Sequence, residues 1–155
     1  YLQMRLGIAS AGSLAPERVM HIHIFATAAH AAGAQVGPKV DGVDLISLLS
    51  GKAAPRPLFF RSGHYRAVID GNWKLQLSER PKKAWLFNLA VDPTEQNNLS
   101  ASDPAQLARL TALLDEQDRR AGKPLWPALV EAPFFIDQPL NKERNLKGEY
   151  VMWAN

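Results

Sequence analysis

The sequence has no cysteine in its 155 residues, which excludes a disulfide framework, a zinc ribbon and a cysteine nucleophile. It has no apolar run near the roughly 18 residues that a membrane-spanning helix needs, so we expect no membrane partner. Its 10 glycines and 11 prolines are too few for a collagenous or low-complexity chain. The remaining class is a globular protein, long enough for one sizeable hydrophobic core.

Neither sign of charge is in large excess. The 18 basic and 15 acidic side chains leave a net charge of +3, with no dense basic stripe that has interleaved aromatic residues. Such a stripe is typical of nucleic-acid-binding proteins, so we expect no nucleic-acid partner. The residues that follow Tyr1 do not resemble a secretory leader, and a periplasmic and a cytoplasmic location both stay open.

Residues 1–54 predict a strand–helix segment. Arg18–Ile24 alternates apolar and polar side chains, and a period of two indicates a half-buried strand. The alanine-rich stretch Phe25–Ala32 is followed by Gly33, which predicts a short helix that ends at this glycine. A second short helix is predicted for Val43–Leu49 from the threefold spacing of its apolar residues.

Residues 55–122 predict an antiparallel sheet covered by one helix. Four short segments are rich in β-branched and aromatic residues: Leu58–Arg61, Tyr65–Ile69, Trp73–Leu77 and Trp85–Leu89. Asp70-Gly71 lies between the second and third and favours a tight hairpin with positive φ at both central residues. Asp103–Arg120 begins with a capping residue and carries a leucine stripe, which predicts a helix on the apolar sheet face. Polar residues alternate along the third segment, so the opposite face is expected to be wet.

Residues 123–155 have a different composition, with prolines that forbid long helices and large aromatic residues that can anchor the segment on a surface. The anchors are Trp126, Phe134, Phe135, Tyr150 and Trp153. We therefore predict an extended docking arm. The three segments together predict an α+β fold. Its parts are an antiparallel sheet of about four strands, one long helix in the C-terminal half, an N-terminal strand–helix piece and the C-terminal arm.

Two patterns invite a metal-binding interpretation. His21 and His23 share a face of the predicted strand, and a His-x-His pair can hold a metal. A site also needs a third ligand, which the sequence does not fix, so ordinary polar-face histidines are the alternative and we assign no metal site. The run Asp92–Asn98 is rich in oxygen donors but lacks the EF-hand glycine and glutamate, and a hydrogen-bonded turn explains it better.

Five segments are similar, in the same order, to those of one known family. They are Met4–Ile8, His21–Ala34, Asp41–Gly51, Tyr65–Leu75 and Trp85–Leu99. Tyr65–Leu75 (YRAVIDGNWKL) is similar to the family pattern yrAVr.GdWKL. Together they resemble the C-terminal part of a type I sulfatase, of the arylsulfatase kind in the alkaline-phosphatase-like superfamily. The resemblance covers nearly the whole sequence, although His23 and Ala26 stand where the family usually has Asp and Pro.

This resemblance implies a parent reaction, the hydrolysis of sulfate esters. In the family the nucleophile is a formylglycine made from Cys or Ser within a Cys/Ser-x-Pro-x-Arg motif, and paired aspartates hold calcium. The sequence contains neither a cysteine nor a Ser-x-Pro-x-Arg motif, and the calcium ligands of the family lie upstream of the matched region. We therefore expect no catalytic residue, no formylglycine and no calcium in this chain, and no sulfatase turnover by the chain alone.

The loop Arg61–His64 is cationic and contains a glycine. Arginine offers planar, bidentate hydrogen bonding to anionic oxygens such as those of a sulfate ester. In the family the smaller domain can border the substrate cleft, so the resemblance implies that Arg61, His64 and Arg66 border the substrate in an intact parent. A solvated hairpin loop is the alternative.

Three functional hypotheses stay open. The chain is the structural, cleft-bordering C-terminal portion of a sulfatase-like protein, or a standalone binding or assembly module with the same fold, or a hydrolase with a new site around His64. Apolar surface without an obvious partner predicts association. The partner is either the missing sulfatase catalytic domain or a second copy, in a homodimer that can exchange the arm or the N-terminal piece.

Overall fold

A computed structural model describes residues 17–123, 125–126, 129–136, 143 and 145–154. The chain divides into two compact units, Tyr1–Arg56 and Pro57–Asn155, which are described separately below. The first of the five family-like segments, Met4–Ile8, lies outside the described residues. Within the described part, no helix is long and apolar enough to cross a membrane.

The first unit contains two short helices, α1 (His23–Ala31) and α2 (Leu45–Leu49). The predicted strand over Arg18–Ile24 is wrong, because the backbone turns there and enters α1. The N–H groups of His23 and Ile24 donate to carbonyls three residues back, each at 3.0 Å. The alternation does not mark two faces of a strand, since His23 is 1% exposed and Ile24 is 50% exposed.

Side-chain hydrogen bonds join the two short helices. The Thr27 hydroxyl donates to the carbonyl of His23 at 2.7 Å and accepts the N–H of Leu45 at 3.0 Å. The Asp44 carboxylate caps α2 by accepting the N–H groups of Ile46 and Ser47 at 3.0 and 2.9 Å. The two predicted helices are confirmed, with α1 beginning two residues earlier and α2 beginning at the residue after the cap.

The second unit is built on a four-stranded antiparallel sheet in which each strand pairs with the next along the chain. The strands are β1 (Leu58–Ser62), β2 (Tyr65–Asp70), β3 (Trp73–Glu79) and β4 (Lys82–Asn88). The predicted meander is confirmed, and β4 begins earlier than expected because the exposed lysines at its start carry no apolar signal. Val68, Leu75 and Leu86 lie side by side on β2, β3 and β4 and are fully buried.

The long helix α3 (Pro104–Ala121) covers this apolar face, as predicted. It begins at Asp103, whose carboxylate accepts the N–H of Gln106 at 2.9 Å. Leu110 and Leu114 of α3 are buried in the same cluster as the three sheet residues. Burial of one such leucine contributes about 1.5–3 kcal/mol, so the contact between helix and sheet is the main hydrophobic core of the second unit.

The opposite sheet face is partly covered, which corrects the expectation of a wet face. Strands β5 (Glu131–Phe135) and β6 (Tyr150–Ala154) pair antiparallel and form what we call the small sheet. Val151 of β6 packs with Trp85 and Phe87 of β4 in a second buried cluster. The predicted docking arm thus contains two paired strands and docks on the sheet of its own chain, because β4 presents large apolar side chains on both faces.

The turn between β2 and β3 differs from the expected type. Asp70 and Trp73 are the last paired residues, so Gly71 and Asn72 form the two-residue loop. Gly71 has a φ of 55°, whereas Asn72 is not among the residues with positive φ. A single positive φ at the first loop position is typical of a type II′ turn, which places glycine there.

We expect Gly71→Val to destabilise the second unit, because a β-branched residue resists positive φ. A Cβ at this position would meet no atom within 4 Å, so the cost is conformational and not steric. Asn72→Val is the matched control, since it places the same side chain at the neighbouring loop position, whose φ is not positive. Thermal melts of both variants test the assignment, and a valine variant that melts with the parent would show the turn to be wrong.

Candidate functional site

The two predicted arginines lie opposite each other on neighbouring strands. Arg61 of β1 faces Arg66 of β2, and both side chains reach Asp118 of α3. Arg61 Nη1 lies 3.3 Å from one carboxylate oxygen of Asp118, and Arg66 donates to the other. Arg66 Nη1 also donates to Asp115 Oδ1 at 2.9 Å. The structure therefore brings Arg61 and Arg66 together, at an acidic stretch of the covering helix.

The two arginines differ in their exposure and in the carboxylates that they contact. Burial acts to lower the pKa of Arg66, but hydrogen bonds to Asp115 and Asp118 outweigh it, and the net pKa is raised. The side chain of Arg66 is 22% exposed and that of Arg61 is 41% exposed. Arg66 is therefore committed to the helix, whereas Arg61 has one longer contact and more access to solvent.

His64, the third predicted residue, faces different carboxylates. Its Nδ1 lies 3.2 Å from Glu79 Oε2 at the end of β3, and its Nε2 lies 3.2 Å from Glu131 Oε1 of β5. The loop that carries it turns through Gly63, which has a φ of 53°. The histidine thus contacts the small sheet, while the two arginines contact α3.

A polar cluster on the face of Lys74 was not predicted. Lys74 Nζ donates to both carboxylate oxygens of Glu95 at 2.7 Å, and Gln76 Nε2 lies 3.3 Å from one of them. Glu95 has a φ of 59°, a conformation that non-glycine residues rarely adopt. Burial, and then the charge of Glu95, raise the pKa of Tyr65 to about 12. The sequence signal that could have revealed this cluster was the alternation of the polar residues Lys74 and Gln76 along β3.

The run Asp92–Asn98 forms the predicted hydrogen-bonded turn. The two carboxylate oxygens of Asp92 accept the N–H groups of Gln96 and Asn97 at 3.0 and 2.8 Å. Hydrogen bonding from these two amides lowers the pKa of Asp92 below its usual 3.8. Its contribution to stability is therefore complete above that value and is lost as the pH falls below it. The turn positions Glu95 against Lys74.

The two histidines considered as metal ligands are not on one strand face. His23 is buried in α1 and its Nδ1 accepts the N–H of Val43 at 3.0 Å, whereas His21 is exposed. Burial, and then the charge of Arg56, lower the pKa of His23, so the ring is neutral and acts as an acceptor. Among the described residues, no group of three or more potential ligands is placed to hold a metal ion.

An open cleft of about 360 Å³ lies in the first unit. His30 and Asp44 line it, with His30 Nδ1 3.4 Å from Asp44 Oδ2. Because both oxygens of Asp44 already accept backbone N–H groups of α2, we assign the carboxylate a structural role.

Comparison with known proteins adds evidence on the fold. No family model and no curated protein matches the sequence. Among solved structures, BT1596, a 2-O GAG sulfatase, matches 63% of this chain with 24% identity and a TM-score of 0.51. BT4656, in complex with its substrate D-glucosamine-2-N,6-O-disulfate, matches 63% with 16% identity and a TM-score of 0.52. Ps i-CgsB matches 67% with 23% identity and a TM-score of 0.56.

The fold is that of a portion of the sulfatases. The chain spans about a quarter of the length of these structures, with 25% of BT1596, 23% of BT4656 and 25% of Ps i-CgsB covered. The sequence identities lie between 16% and 24%, and likeness at this level shows a shared fold alone. The resemblance carried by the ordered sequence segments is thus confirmed for the fold.

Proposed function

We propose that the chain is the C-terminal portion of a sulfatase-like hydrolase, in which it supports the catalytic part and borders the substrate cleft. Its fold matches about a quarter of the length of solved sulfatase chains, and this match carries the proposal. The reaction of the whole protein would be sulfate ester hydrolysis. The formylglycine and the calcium would be supplied by the rest of the protein, since the nucleophile motif is not in this sequence.

A sulfated saccharide is the proposed substrate class of the whole protein. The proposal is supported by the 2-O GAG sulfatase and by the structure that holds a disulfated glucosamine, both of which share the fold. Of the three predicted cleft residues, Arg61 is the best placed to contact such a substrate, because its ion pair with Asp118 is exposed and at 3.3 Å. Exposed pairs of this kind contribute only about 0.2–1 kcal/mol, so a sulfate group can compete for the guanidinium.

The pure chain is expected not to hydrolyse aryl sulfates above background, with or without added calcium, because the sequence has no nucleophile motif. The assay uses a chromogenic aryl sulfate as the substrate and a sulfatase of known structure as the positive control. A rate that scales with the chain, survives repurification and is lost in His64→Ala would contradict the proposal. It would instead support a hydrolase with a site around His64.

The isolated chain is also proposed to associate with itself. Val19 is 45% exposed, and the consecutive residues Ile24 and Phe25 of α1 are 50% and 64% exposed; exposed large apolar surface favours a protein partner. In the whole protein the partner would be the catalytic part, and in the isolated chain a second copy. Sedimentation equilibrium is expected to show a homodimer, which a double Ile24→Ser, Phe25→Ser variant weakens. A single 17.1 kDa species at all concentrations would contradict it.

A further inference from the structure

Three aromatic side chains form a row where the small sheet meets the four-stranded sheet. The ring centroids of Tyr65 in β2 and Trp153 in β6 lie 5.9 Å apart, and those of Trp153 and Phe134 in β5 lie 6.3 Å apart. We call these three residues the aromatic row. Trp153 and Phe134 are 44% and 61% exposed, so the row presents aromatic surface to solvent.

The exposed rings are not what docks the small sheet. Docking is provided by Val151, which is buried against Trp85 and Phe87. Neither of the two buried clusters among the described residues includes Trp153 or Phe134. Aromatic side chains that touch one another and stay exposed are typical of a binding surface, so the row has a ligand to account for.

Charged residues of both signs flank the row. Glu131 pairs with Ala154, and the carbonyl of Arg80 accepts the N–H of Met152 at 2.9 Å, so both neighbours of Trp153 along β6 are held by residues with charged side chains. Arg80 Nη1 lies 3.6 Å from Glu131 Oε2, and the arginine side chain is exposed. Hydrogen-bond donors and acceptors of opposite charge therefore lie beside exposed aromatic rings.

This combination favours one class of ligand. A carboxylate beside the rings disfavours a polyanion such as nucleic acid, and charged residues are depleted at the cores of protein interfaces. A pyranose ring has an apolar face of C–H groups and a rim of hydroxyls, so it uses an aromatic surface together with charged donors and acceptors. Burial raises the pKa of Tyr65 to about 12, so its hydroxyl stays protonated at neutral pH.

We propose that the aromatic row is a stacking site for one pyranose ring of a saccharide chain. The weakly positive C–H groups of the sugar face pack on the negative faces of Trp153 and Phe134, and Arg80 and Glu131 hydrogen-bond its hydroxyls. The choice of ligand rests on the proposed function, in which the substrate is a saccharide. The inference goes beyond that function, because it assigns this chain a contact with the sugar ring that needs no sulfate.

An NMR titration of the full chain with an unsulfated glycosaminoglycan hexasaccharide tests the site. The indole N–H of Trp153 and the amides of Ala132 and Phe134 are expected to shift saturably, because these groups lie in or beside the row. A sulfated hexasaccharide of the same backbone is titrated in parallel. It shows whether charge alone accounts for binding.

Phe134→Ala is the informative variant, because it removes an exposed ring and leaves the buried clusters intact. Binding of the unsulfated probe, followed at the Trp153 indole, is expected to weaken about three- to tenfold. Phe25→Ala is the matched control, since Phe25 is 64% exposed but belongs to the first unit, and it should bind as the parent does. Trp153→Tyr keeps a ring at its position and should retain binding, followed at the amide of Ala132.

The site is overturned if the unsulfated hexasaccharide gives no saturable shift, even where the sulfated one binds, since charge alone would then explain binding. It is equally overturned if Phe134→Ala binds as tightly as the parent. A Trp153 signal that responds only to protein concentration would show instead that the row is a contact between copies of the chain. None of these readouts involves sulfate hydrolysis or the size of the native product, so failure of the site is distinguishable from failure of the proposed function.

Discussion

Gly42→Ala is expected to unfold the first unit locally. An added Cβ would lie 2.1 Å from the carbonyl oxygen of Ile22 and 2.9 Å from its carbon, distances that real Cβ atoms do not adopt. The obstacle is backbone, so the chain must separate there. The neighbouring N–H of Val43 then loses its 3.0 Å hydrogen bond to His23. Forced overpacking typically costs about 1–3 kcal/mol and occasionally more, and we expect the upper end.

Hydrogen exchange in α1 and α2 measures this effect where it arises. Amide protection in both helices should fall strongly, whereas amides of β2 and β3 serve as an internal reference. Gly37→Ala is the matched control, because a Cβ there meets no atom within 4 Å and the backbone does not have positive φ. Equal protection in the two variants would show that the close approach of Gly42 to Ile22 is not a feature of the protein.

Leu110→Ala is expected to be the most damaging change in the second unit. Leu110 is 0% exposed and lies in the cluster formed by α3 with Val68, Leu75 and Leu86. Truncation of a buried leucine costs about 2–5 kcal/mol, since it loses hydrophobic transfer energy and leaves a cavity. Small domains are stable by only about 5–15 kcal/mol, so a large fraction of the total would be lost.

Urea unfolding followed by the fluorescence of the tryptophans gives the free-energy difference. Leu113→Ala is the control on the same helix, because Leu113 is only partly buried against the cluster and should cost less. If the two variants have the same midpoint, or if Leu110→Ala is as stable as the parent, α3 does not cover the sheet as described.

The main fold of the second unit was predictable because its signals are local. Alternation along β3 and the leucine stripe of Asp103–Arg120 each depend on neighbours within a few residues. The small sheet was missed because β5 and β6 are separated along the chain, and β5 contains Pro133, which argues against a strand. Arg18–Ile24 was misread since a short alternation fits a turn and the first residues of a helix equally well.

The sequence predicted the basic side chains of the candidate site but not the acidic side chains that pair with them. Arg61, His64 and Arg66 stand out in the sequence as a basic loop, but their acidic partners lie far along the chain. Asp118 comes from α3 and Glu131 from the small sheet, and no spacing rule links them to the loop. The basic side chains that the sequence offers for a sulfate ester are therefore paired with carboxylates. This pairing depends on tertiary contacts, which the sequence alone does not show.

The size and sequence of the native gene product test the central claim most directly. The product can be captured from its own cells with an antibody raised against this chain, then analysed by intact-mass measurement and peptide sequencing. If the chain is the C-terminal portion of a sulfatase-like protein, the product is roughly two and a half times as long as this chain, because 63% of this chain covers 25% of the solved sulfatase chains, and it contains a Cys/Ser-x-Pro-x-Arg motif upstream. A native product of 17.1 kDa would contradict the account and favour a standalone module.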